Sequence, residues 1–120
     1  MKLVTTVSST VIIPGTHKWK EAPDNRSYLR DDHHHYFRIT VTTKVDEKID
    51  RDIEFHDLND TIKHSIVSLY KIEGGIVDFQ KSCEDIATDI LSFMVQTYGY
   101  DITSVKVAED EFNWGEVHRS

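Results

Sequence analysis

Two kinds of periodicity divide this chain. Over residues 2–13, Leu3, Val7, Val11 and Ile13 share one parity among β-branched neighbours. That pattern predicts a strand, because successive side chains of extended backbone point to opposite faces. Pro14-Gly15 is expected to break or bend it. Residues 18–32 are polar, contain Pro23-Asp24-Asn25, and read as a loop. From His35 to Val45 the alternation returns, with Phe37, Ile39, Val41 and Val45 on one side and Arg38, Thr40, Thr42 and Lys44 on the other. Asp46-Glu47-Lys48 reads as a turn and Ile53-Glu54-Phe55 as a short extended piece.

The period then changes to that of a helix. Leu58, Ile62, Ile66 and Leu69 form one apolar stripe, which Gly74-Gly75 is expected to stop. Cys83, Ile86, Ala87, Ile90, Leu91, Met94 and Tyr98 form a stronger one, with Gly99 placed as its C-terminal cap. Ser82 with Asp85 three residues on predicts a capping box at its start. Thr103, Val105, Val107 and Glu109 alternate as a strand, and Trp114 to Val117 reads as the last one. The order β-β-α-α-β-β, without linker or repeat, predicts one α+β domain over residues 1–120. Its core is a four-stranded antiparallel sheet with both helices on one face. The exposed edges of such a sheet must be blunted or paired, which points to edge-to-edge assembly into a homo-oligomeric ring.

Composition narrows the partners. The chain has 120 residues, 38% hydrophobic and 29% charged, the balance of an ordinary globular protein. Its formal net charge of -7 argues against nucleic acid and against an anionic membrane surface. Cys83 is the one cysteine, which excludes an internal disulfide and fits a reducing compartment. No apolar run approaches membrane-spanning length and residues 1–6 show no leader pattern, so the expected location is cytoplasmic.

The chemistry concentrates in Asp31-Asp32-His33-His34-His35-Tyr36-Phe37. On a strand, His33 and His35 project to one side and His34 to the other. Two imidazoles on one strand face, joined by His17 from a neighbouring strand, match a catalytic zinc site with three protein ligands and one open position. His17, His33 and His35 are therefore the predicted metal ligands and Zn2+ the predicted cofactor. His56, His64 and His118 read as surface residues. Glu109 lies on the core parity of a valine-rich strand, where an unpaired buried charge is costly, so it needs a bound partner or solvent. Glu84 suits the first turn of a helix. Cys83, on an apolar stripe, reads as a core residue rather than a nucleophile.

Gly15-Thr16-His17 at a strand end and His33-His34-His35-Tyr36-Phe37 at a strand start resemble the zinc histidines of the 6-pyruvoyl-tetrahydropterin synthase and 6-carboxytetrahydropterin synthase family. The stretches Asp52-Ile53-Glu54-Phe55-His56-Asp57-Leu58, Lys81-Ser82-Cys83-Glu84-Asp85, Val105-Lys106-Val107-Ala108-Glu109-Asp110 and Trp114-Gly115-Glu116-Val117 are similar to further family stretches, in the family's order. The resemblance implies the tunnelling fold, zinc on the three histidines, and a pterin or purine ligand whose ring Glu109 anchors through two adjacent acceptors. Glu84 and Ser82 join Glu109 as candidate ligand contacts. The implied activity is a lyase acting on 7,8-dihydroneopterin triphosphate or a related compound.

Two departures stand against it. Where the family has its general-base cysteine this chain has Leu29, and where it has an Asp-His dyad this chain has Tyr70-Lys71. Asp31, Asp32, His34, His64, Tyr70 and Lys71 remain as acids or bases, and the sequence does not select among them. A non-catalytic protein of the same fold that captures a pterin or purine nucleotide is the second reading. Metal-free chemistry close to that of dihydroneopterin aldolase is the third.

Overall fold

The computed structural model describes residues 1–119. Extended backbone runs from Thr6 to His17 (β1), and after a loop from His33 to Lys44 (β2). The two pair antiparallel from Thr6↔Lys44 to His17↔His33. The expected break at Pro14-Gly15 is absent: β1 continues through both residues, paired to Tyr36 and His35. Proline lacks an N–H, but Gly15 serves the packing. A Cβ on Gly15 would lie 2.6 Å from the Phe79 ring, so only glycine lets that ring lie against the strand. The loop expected at 18–32 contains a 3₁₀ segment, Asp24–Leu29, closed by a Trp19 N–H donating to the Leu29 carbonyl at 2.7 Å.

Helix α1 spans Phe55–Leu69. Ile53-Glu54-Phe55 does not form the extended piece expected, although Glu54 itself keeps extended backbone. Glu54 is the N-cap, its carboxylate accepting the His56 and Asp57 N–H groups at 2.8 and 3.1 Å, and Phe55 opens the helix. The helix also ends at Leu69, before Gly74-Gly75, because Tyr70 turns extended (φ -128, ψ 153). The two glycines instead make the tight turn, both at positive φ, between β3 (Lys71–Glu73) and β4 (Ile76–Asp78). Helix α2 spans Cys83–Tyr98, with the predicted Ser82 N-cap accepting from the Asp85 N–H and Gly99 left-handed at φ 71. Strands β5 (Ile102–Glu109) and β6 (Asn113–His118) follow.

The sheet has six strands, not four, in the order β3-β4-β1-β2-β5-β6. It is also mixed, since β4 lies parallel to β1 through Gly15↔Val77 and Thr16↔Asp78. The extra hairpin was invisible as a pattern because its strands are three residues each, too short for alternation to show. The core lies between one sheet face and both helices. Phe37, Ile39, Val41, Val105 and Val107 meet Leu58, Ile62, Ile86, Ile90 and Met94 there, all fully buried. The opposite face is polar, crossed by Ser8–Thr42 and Thr10–Thr40 hydroxyl pairs at 2.7 Å. The molecule is drawn out along one axis, with extents of 53 × 33 × 24 Å, and its radius of gyration is 15.5 Å, against about 13.6 Å for a compact chain of this length. No helix among the described residues is long and apolar enough to cross a membrane.

Candidate metal centre and ligand cavity

The β1–β2 register places His17 directly opposite His33, and the two-residue step along β2 returns His35 to the same face. One ring nitrogen from each of the three lies within 4.8 Å of the others. What surrounds the rings decides which nitrogen that is. Nδ1 of His17 donates to the Lys81 carbonyl and Nδ1 of His33 to the Asp31 carbonyl, both at 3.0 Å. Nδ1 of His35 pairs with the Asp110 carboxylate. Each Nδ1 is thus held as the N–H, which leaves Nε2 of all three rings to offer a lone pair to a metal. Such outer partners orient metal-binding imidazoles and raise their basicity. The residues fit a zinc ion by donor type and number, as well as by the fixed tautomer.

Asp110, which carries no pattern in the sequence to set it apart as a site residue, is the partner of His35. It follows Glu109 at φ 53, a left-handed conformation that aspartate tolerates. That turn brings one carboxylate oxygen to the Tyr36 N–H at 2.9 Å and the other to His35. The His35 hydrogen bond, then that of the Tyr36 N–H, holds its carboxyl below the usual range. The carbonyls of Lys81 and Asp31 carry no sequence signal, since every residue has one.

Glu109 stands at the open side of the cluster. Its Oε1 is 3.1 Å from His17 Nε2 and its Oε2 is 3.5 Å from His35 Nε2. With His17 protonated, its contact with Glu109 is an ion pair. Burial opposes charge on His17, but the Glu109 hydrogen bond, the Lys81 carbonyl and the Glu109 charge together outweigh it and raise the imidazole. The His17 hydrogen bond lowers the Glu109 carboxyl against its own desolvation. The Cys83 thiol lies 3.7 Å from Glu109 Oε1. Burial, followed by the Glu109 charge, pushes that thiol up to about 12, so it is a protonated donor and not a base at neutral pH.

A cavity of about 550 Å³ opens beside this cluster, walled by His17, His33, Glu109, Ser82, Glu84 and Leu29. That volume falls in the range that holds a small organic ligand. All three sequence candidates for ligand contact, Glu109, Glu84 and Ser82, share the cavity with two of the three histidines. Leu29, where a thiol base was sought, presents only hydrocarbon. Tyr70 does not reach the cavity wall and donates to Asp89 at 3.0 Å, its hydroxyl kept protonated by burial and then by Asp89. His56, His64 and His118 are exposed, and Cys83 is buried.

The cavity floor depends on Gly115. A Cβ there would lie 2.7 Å from the Glu84 backbone nitrogen and 3.2 Å from the Cys83 carbonyl carbon. Backbone at the start of a helix yields far less readily than a side-chain tip. Gly115→Ala is therefore expected to force β6 and α2 apart, at a cost of roughly 1–3 kcal/mol. A thermal melt should fall by several degrees; an unchanged melting temperature would show that the two elements are free to separate.

The sheet with two helices on one face, and three histidines converging at the ends of its first two strands, define a protein with the tunnelling fold. No family model matches the sequence, and no curated protein matches it. Among solved structures, 6-pyruvoyl tetrahydropterin synthase from Caenorhabditis elegans superposes with a TM-score of 0.70 at 11% identity, over 98% of this chain and 97% of that one. The Plasmodium falciparum synthase gives 0.64 at 13%, over 97% and 98%. An uncharacterized protein from Wolinella succinogenes gives 0.69 at 14%, over 99% and 100%. The resemblance read from scattered motifs therefore holds for the fold, along the whole chain.

Proposed function

We propose that this chain is a zinc-dependent, pterin-synthase-like lyase acting on 7,8-dihydroneopterin triphosphate or a related pterin or purine compound. The carrying observation is the convergence of three tautomer-fixed imidazoles beside a carboxylate, two of the rings and the carboxylate lining one cavity. His17, His33 and His35 would hold the zinc, which when bound would polarise hydroxyl groups of the ligand. Glu109 offers two adjacent acceptor oxygens to a guanidine-like ring edge, the geometry by which carboxylates bind arginine. Ser82 and Glu84 border the same space from the start of α2. The likeness to solved synthases supports this reading, and the uncovered polar sheet face and open edges support assembly into a homo-oligomeric ring.

A second reading, capture of a pterin or purine nucleotide without conversion, is favoured by one specific observation. Neither Leu29 nor Tyr70 presents a free base to the cavity, and the Cys83 thiol is held protonated. A turnover assay with dihydroneopterin triphosphate and the zinc-loaded chain separates the two. Product formation supports the lyase; ligand recovered intact from a stable complex eliminates it. In either case Glu109→Gln should weaken ligand binding while zinc is retained. Loss of a charge-assisted pair is worth roughly 1.5–3 kcal/mol, about tenfold to over a hundredfold at about 1.4 kcal/mol per decade. Unchanged affinity in calorimetry would reject the anchor role.

A further inference from the structure

The turn between β4 and α2, residues 79–82, supplies the carbonyl that holds His17, and its shape is not one the backbone adopts unaided. Gln80 sits in the left-handed region at φ 59 without being glycine, a conformation that persists only where surroundings impose it. Three ties impose it. The Phe79 N–H donates to the Thr16 carbonyl at 3.0 Å, next to His17 in the chain. The Gln80 amide donates to Asp78 Oδ2 at 2.8 Å. Lys81 Nζ reaches Asp89 Oδ2, in the second turn of α2, at 2.7 Å.

Asp89 in turn is fixed. The Tyr70 hydroxyl donates to the same oxygen at 3.0 Å, and the Tyr70 ring packs edge-on to Phe79 at 4.9 Å between centroids. Phe79 is itself buried against Phe37, whose ring meets His17 at 5.1 Å. A lone exposed lysine–aspartate pair contributes little. This one differs because the anchored lysine is the residue whose own carbonyl accepts the His17 Nδ1–H.

We infer that Asp89, clamped by Tyr70 and holding Lys81, is a positioning residue for His17. It fixes the Lys81 carbonyl, and through it the tautomer and plane of the imidazole that faces the metal. The inference rests on the metal reading for its consequence, but its geometry does not require the ion. Tyr70 thus has a use in a position where the family resemblance sought an acid: it orders the site without entering the cavity.

The test uses the full chain and the variants Asp89→Ala, Lys81→Ala, their double, and Asp89→Glu, each checked for fold by circular dichroism. Lys81→Ala keeps the backbone carbonyl and removes only its anchor. In the metal-free protein, nitrogen-edited NMR should show a His17 Nδ1–H resonance, assigned by its absence in His17→Gln, that broadens or vanishes in Asp89→Ala. In metal titrations against a chromophoric chelator, Asp89→Ala and Lys81→Ala should each lose about tenfold in zinc affinity, the lower end for outer-shell partners of a metal ligand. The double variant should lose no more than either single, Asp89→Glu should recover most of the loss, and the cobalt-substituted visible spectrum should shift in parallel. A folded Asp89→Ala with the parent Nδ1–H resonance overturns the inference, whether or not zinc binds. Parent zinc affinity and cobalt spectrum in that variant also overturn it, as do losses that multiply in the double. A parent chain that binds no zinc but loses the resonance in Asp89→Ala upholds the positioning and sinks only the metal reading.

Discussion

Purified protein, stripped and reloaded, should bind about one zinc per chain, and His35→Ala should lose at least about a hundredfold in zinc affinity. The reasoning starts from ligand count. A site with three protein donors keeps an open position for water or substrate, so removing one donor leaves two, the count of an adventitious surface site. His35 is the informative choice because its Nδ1 is held by Asp110 and its Nε2 faces the other two rings. The truncation removes a preorganised ligand rather than a flexible one, on the order of 3 kcal/mol at about 1.4 kcal/mol per decade. Elemental analysis gives the stoichiometry, and a competition titration gives the affinity. His34→Ala, on the opposite face of the same strand, is the control and should bind as the parent does. Equal loss in both would mean that the histidine run binds metal without the alternation that the fold imposes.

The second large effect is a pair of opposite pH trends. In the metal-free chain His17 is raised from 6.5 and Glu109 lowered from 4.5 by their contact. A raised imidazole stabilises the fold fully below 6.5 and loses that contribution as pH rises through its folded value. A lowered carboxyl contributes fully above 4.5 and loses it as pH falls through its folded value. The pair therefore stabilises the apo protein most between 4.5 and 6.5. Zinc requires the opposite state of His17, since the metal replaces the Nε2 proton. Its affinity should climb about tenfold per pH unit for each proton displaced until His17 has deprotonated. Urea melts of the chelator-treated protein, read as the difference between parent and His17→Gln, give the first trend. Zinc competition titrations over the same pH series give the second. A zinc affinity flat from pH 5.5 to 7.5 would mean that His17 is not a ligand.

These expectations draw unequally on sequence and structure. The helices were legible because α1 and α2 each bury a regular stripe, and the ends of α2 carry residues with fixed tasks, the Ser82 hydroxyl as N-cap and the left-handed backbone of Gly99 as C-cap. Strand β2 was legible because one face is buried and the other is not, which forces the alternation of Phe37, Ile39 and Val41. The β3–β4 hairpin was not, since a three-residue strand carries no period. Glu54 was misplaced because a cap and an extended residue share the same backbone region before the helix begins.

The sequence alone determined that His33 and His35 share a face and that Glu109 sits on a core parity. Both follow from the two-residue repeat of extended chain, which holds along a strand wherever no bulge interrupts it. Whether His17 joins them depended on the β1–β2 register, and a slip of one residue would have turned its ring to the far side of the sheet. The nitrogen presented by each ring, the closeness of Glu109 to two of them, and the reach of Asp110 and Lys81 were decided only by the tertiary structure. Those contacts join residues 64 to 92 positions apart, or run through backbone carbonyls that every residue has, and neither leaves a mark on a linear pattern.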